Sequence, residues 1–109
     1  MRRRILGDDY VDAQGTDEFQ DHLTLMAWGA WAREGPLSTR DRSLLVLAIT
    51  AALGRMEEFR LHAAAAHRAG VTDEELDELL FQLAAYAGGP AGLSARRALR
   101  EVREARDTP

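Results

Sequence analysis

The chain has 109 residues, enough for one domain, and its 46% apolar and 29% charged residues describe a folded globular protein, not a disordered one. Its net charge of −4 gives no general field for nucleic acid, and all 14 basic residues are arginine. The absence of cysteine excludes disulfides, zinc–thiolate sites and redox-active thiols.

Residues 1–15 show no steady period, with two glycines and three aspartates. They are expected to form an amino-terminal arm of about one helical turn, ahead of a single domain over 16–109. Ile5 and Leu6 run straight into Gly7-Asp8-Asp9, so no apolar signal segment follows Arg2-Arg3-Arg4 and the protein is expected to be cytoplasmic. Thr16 or Asp17 can cap a first helix whose apolar stripe is Phe19, Leu23, Met26, Ala27 and Ala30, with Trp28 and Trp31 near its end. Gly35-Pro36 breaks the chain.

Ser38 or Thr39 starts a second helix, with Asp41 in its first turn, and Gly54 stops it. Residues 44–53 are apolar on every side, which requires burial all round. So short a chain has little material to surround a helix, so other subunits are expected to cover it. The run is far shorter than the roughly 20 residues that span a bilayer, and no membrane partner is expected.

A third helix over 55–69 ends at Gly70. Thr72 with Glu75 forms a capping box that opens a fourth through Leu76, Leu79, Leu80, Leu83 and Tyr86. Gly88-Gly89-Pro90 ends that helix, and a last one over 91–106, rich in charge, reads as a surface or interface helix. No stretch alternates as a strand does. The expected fold is all-α, with five to six helices.

The third helix carries the chemistry. Met56, Phe59, Ala63 and Ala66 form its core stripe. Glu58 and His62 lie about 40° apart on the flank of that stripe, while His67 falls about 140° round from His62. At this spacing the pair can be a helix-stabilising contact worth a few tenths of a kcal/mol. It can equally be a carboxylate that orients an imidazole facing a cavity. A metal site would need further ligands, and His22 is the only other histidine near a helix face.

Several features in this order resemble the carboxymuconolactone decarboxylase family, of the alkylhydroperoxidase D-like superfamily. They are Trp31 and Arg33; Gly35 and Leu37; Thr39 with Arg42-Ser43-Leu44; Glu58-Phe59 with His62; Gly70-Val71-Thr72 with Glu75; and Tyr86 with Gly88 and Pro90. The opening "RRRILGDDYVDA" is also similar to the family's amino-terminal stretch, and beginning inside that stretch suits a domain from a fusion with the next pathway enzyme. After Pro90 the family usually has a polar segment, whereas this chain reads Ala91-Gly92-Leu93-Ser94. The superfamily's peroxidase branch uses a Cys-x-x-Cys dithiol, whose positions fall here on Arg55 and Glu58. Without cysteine, peroxide reduction is excluded.

The resemblance implies cofactor-independent decarboxylation of an unsaturated γ-lactone bearing two carboxylates, with no metal. It implies His62 as proton donor or enolate stabiliser with Glu58 fixing its tautomer, and Arg33 and Arg42 as carboxylate clamps. Trp31 and Tyr86 would line the pocket, and the chain would form a homo-oligomer, trimer or hexamer. The alternatives are a different lactone or β-keto acid as substrate, or a non-catalytic oligomer that keeps the fold.

Overall fold

A computed structural model describes residues 1–108. Among them there are only helices and connecting turns. We number seven helices: α1 (Arg2–Leu6), α2 (Asp8–Gln14), α3 (Glu18–Leu23, continuing through Thr24–Trp28 and Gly29–Ala32), α4 (Thr39–Ala52), α5 (Met56–Ala65), α6 (Asp73–Ala87) and α7 (Gly89–Asp107).

The helix starts follow from local chemistry. Ser38 Oγ accepts from the Asp41 amide at 3.0 Å while Asp41 Oδ2 accepts from the Ser38 amide at 3.2 Å, a closed capping box at the head of α4. Thr72 and Glu75 repeat the device at α6, and the Gln20 amide donates to Asp17 Oδ1 at α3. Gly70, at φ +91°, supplies the left-handed cap that closes the 3₁₀ turn Ala66–Ala69. A single residue, Gly88, separates α6 from α7. Gly92 then lets the two helices close up, because a Cβ there would stand 3.0 Å from Ala84 Cβ.

The main core lies between α4, α5, α6 and α7, around Leu47, Phe59, Ala63, Leu76, Leu83 and Leu99. A second cluster joins Ile5, Leu6 and Val11 of the first two helices to Trp31, Ala65 and Ala69. The arm thus holds two short helices where one turn was expected, and its apolar side chains are core. Arg4 Nη2 donates to Thr39 Oγ1 at 3.2 Å, which ties α1 to the start of α4.

Three expectations about apolar faces change. Within one chain α4 is buried only on the side of Ser43, Leu47 and Ala51; Leu45, Ile49 and Leu53 stand open. The stripe expected to bury α3 does not: Phe19 is 69% and Met26 61% exposed, and Glu18–Leu23 makes no extensive contact with any other helix. The last helix, α7, begins two residues early at Gly89 and sends Gly92, Ala95, Ala98 and Leu99 into the core, so it is a core helix on one side.

Candidate active site

His62 projects from α5 against α3. Its ring stacks on Trp31, centroids 5.8 Å apart with planes 10° from parallel, and on Trp28 at 5.9 Å and 26°. The two indoles stack on each other at 5.3 Å. Trp31 is buried and Trp28 half-buried. A π-helical turn over Thr24–Trp28 ends at the first indole and rolls both tryptophans relative to the preceding half of the helix. Insertions of this kind often mark functional sites. Gln20 Nε2 donates to Thr24 Oγ1 at 3.1 Å at the start of this turn.

The floor beneath Trp31 is built by Ile5, Leu6 and Val11 with Ala65 and Ala69. Ala65 of "HAAAAH" and Ala69 just beyond it admit this close layer, since anything larger at either position would lift the indole. Composition therefore reaches the site through packing.

Burial pushes the His62 pKa below its ordinary 6.5, against a smaller opposing pull from the Glu58 charge. Burial thus favours the neutral imidazole over the charged one. Its Nδ1 is buried and has no hydrogen-bond partner among the described residues. Glu58 is exposed and forms neither a hydrogen bond nor an ion pair with His62 among the described residues. The expected tautomer-fixing contact is not made; the carboxylate acts on the ring through its charge alone.

The arginines differ. Arg42 Nη1 donates to Ala30 O at 3.2 Å and also to Trp31 O, so it caps the end of α3. Its Nη2 lies beside Gly35. Arg33 is the first residue beyond α3, exposed, and without an ion pair among the described residues, which leaves its guanidinium free for a carboxylate. Tyr86 is 87% exposed and lines an apolar groove between α4 and α6, with Leu37, Leu45 and Leu79, that includes none of His62, Trp31, Arg33 or Arg42. A single chain therefore gathers His62, Trp31 and Arg42, with Arg33 two residues beyond Trp31, and leaves Tyr86 elsewhere.

Trp28 is the residue that reasoning from sequence missed as part of the site. The Trp-x-x-Trp spacing was the available signal, since such residues share a helix face. Arg42→Ala should uncap α3 and loosen the stack. We expect red-shifted tryptophan emission with little loss of helical circular dichroism, and unchanged emission would remove Arg42 from the positioning of Trp31.

A model of the carboxymuconolactone decarboxylase family matches residues 17–101, and the chain belongs to that family. It is 37% identical over 109 residues to 4-carboxymuconolactone decarboxylase of Acinetobacter baylyi, an alignment covering 94% of this chain and 81% of that protein. It is 33% identical over 102 residues to a nitrosuccinic acid decarboxylase of Metarhizium robertsii, covering 87% and 71%. No solved structure gives a significant match.

Proposed function

We propose that the protein is a cofactor-independent carboxy-lyase that converts 4-carboxymuconolactone to 3-oxoadipate enol-lactone in the protocatechuate branch of the β-ketoadipate pathway. The observation that carries this reading is His62 stacked against two tryptophans in a chain whose similar proteins are named as decarboxylases. When the carboxylate leaves as CO2, the C–C bond breaks and its electron pair moves through the conjugated double bond to the lactone carbonyl oxygen. The substrate holds the charge itself. One proton is consumed per CO2 released, and water ultimately supplies it.

The residues fit this division of labour. A neutral imidazole N–H can donate to the developing enolate oxygen without first giving up a full charge, and the indole wall keeps competing water away. Arg33, with a free guanidinium, is suited to hold a carboxylate bidentately. The nitro group of nitrosuccinic acid can likewise hold an electron pair. Neighbouring family chemistry thus shares one demand, a donor at the oxygen where charge arrives.

The test is the ultraviolet decay of carboxymuconolactone with purified protein, no added cofactor and a chelator present throughout. Decay at an enzymatic rate is expected. Activity that returned only on adding a divalent metal would overturn the substrate-as-sink mechanism, and no decay would shift the reading to another lactone or β-keto acid.

The same proposal includes a homo-oligomer. The groove between α4 and α6, about 800 Å³, is floored by Leu44, Leu45, Ala48 and Leu79, and Ile49 and Leu53 stand open on the same helix. Apolar surface this continuous marks an interface. Light scattering at micromolar concentration should give a multiple of 12.1 kDa, the mass of one chain. A monodisperse monomer would refute it.

A further inference from the structure

A second pair of surfaces stands open, away from the groove between α4 and α6. On the outer side of α3, Phe19, His22, Met26 and Ala30 follow one another at helical spacing, and Glu18 and Asp21 run beside them. All six are exposed, and the amino-terminal half of α3 makes no extensive contact with another helix among the described residues. On the far side of the molecule's core helices, α6 and α7 enclose a groove of about 580 Å³ with Leu80, Phe81, Ala84 and Leu93 as its apolar lining. Phe81 is 74% and Leu93 52% exposed. Arg96 and Arg100 rim it, and neither makes an ion pair among the described residues, unlike Arg103, which is held by Asp77 at 2.8 Å.

We propose that α3 of one copy docks into the groove between α6 and α7 of a second copy. Phe19 and Met26 would enter beside Phe81 and Leu93, and Glu18 and Asp21 would meet Arg96 and Arg100. The charges choose this occupant. An apolar row flanked by carboxylates fits an apolar groove flanked by unpaired guanidiniums, whereas the groove between α4 and α6 sets Asp41, Glu75 and Glu78 against a single guanidinium, Arg40, already held by Asp41 and Glu75, so it stays net acidic and disfavours the same helix. The contact closes either reciprocally, each copy giving its α3 and receiving the other's about a two-fold axis, or head to tail until a ring closes. It also has a consequence for the site: the inner side of α3 carries Trp28 and Trp31, so a neighbour that clamps α3 steadies the wall behind His62.

The absence of native cysteine makes the test direct. Protein bearing Met26→Cys is mixed with protein bearing Leu93→Cys under conditions that allow subunits to exchange, and treated with a short bismaleimide. The mixed dimer should dominate over either self-linked product. Met26→Cys mixed with Ile49→Cys, which stands on the other apolar face, should link poorly. Reversal of both rim charges, Arg96→Glu with Arg100→Glu, places like charges opposite each other and should lower the Met26–Leu93 yield at least about tenfold. Adding Glu18→Arg and Asp21→Arg to the Met26→Cys protein should restore it, with circular dichroism checking that α3 remains helical.

Preferential linking of Met26 to Ile49, or a Met26–Leu93 yield indifferent to the charge reversals, would each overturn the proposal. Efficient Ile49–Ile49 linking without Met26–Leu93 linking would sink this docking alone and leave the oligomer through α4 and α6 standing. None of these outcomes depends on the decarboxylase reading.

Discussion

Substitution of His62 by alanine should lower turnover on the order of 10²–10⁴-fold, the usual contribution of a positioned acid–base group. The ring is packed against both indoles, so His62→Ala also opens a void. His62→Phe is the companion variant, because it keeps an aromatic ring in the stack and removes both nitrogens. Loss of turnover in both variants, with tryptophan emission preserved in His62→Phe, would assign the effect to the imidazole. Near-wild-type turnover in folded His62→Phe would reduce His62 to a packing residue.

The same ring sets a pH dependence. Burial depresses the folded pKa below the ordinary 6.5. Above pH 6.5 the ring is neutral in both folded and unfolded chains, so its contribution to stability is fully present. As pH falls below that value the unfolded chain takes up a proton first, and stability drops until the folded ring titrates as well. The acid limb of activity should accordingly lie below the ordinary histidine range. Glu58→Gln removes the one opposing charge and should move that limb lower still, an effect that a purely structural Glu58 would not produce.

What could be read before the structure was the chemistry carried by neighbours in sequence. Ser38 with Asp41 and Thr72 with Glu75 bond within one turn, so their helix starts were legible residue by residue. The core stripe Phe59, Ala63, Ala66 was legible for the same reason, as it depends only on the helical repeat. The π turn in α3 was not. It lies directly ahead of the indoles that pack on His62, and nothing in Thr24-Leu25-Met26-Ala27-Trp28 announces it. The Glu58–His62 pair failed as a contact because shared azimuth brings Cβ atoms together but leaves a long side chain free to prefer water. Tyr86 was placed by resemblance at the site, yet the roll of α6 turns it toward α4. An all-round apolar α4 reads as a helix buried on every side, whereas a single chain buries it on one side only.

Phe59→Ala should be the most damaging core substitution. Phe59 is fully buried at the centre of the main cluster, on the same helix as His62 but facing α4, α6 and α7. Its removal costs transfer free energy and leaves a cavity that four helices cannot collapse, in total about 3–5 kcal/mol. Small domains have only about 5–15 kcal/mol to lose. A fall in melting temperature of at least about 12 °C is expected, compared at fixed protein concentration because self-association would itself shift the midpoint. The small side chains around the ring, Ala51, Ala63, Ala66 and Ala95, have no alternative rotamers with which to fill the space, so the void persists. Phe59→Leu, which restores most of the volume, should recover the greater part of the loss. A shift of only a few degrees in Phe59→Ala would mean that α5 is held chiefly by its other flank, through Ala65 against the amino-terminal helices, and that the cluster around Trp31 carries the fold as well as the site.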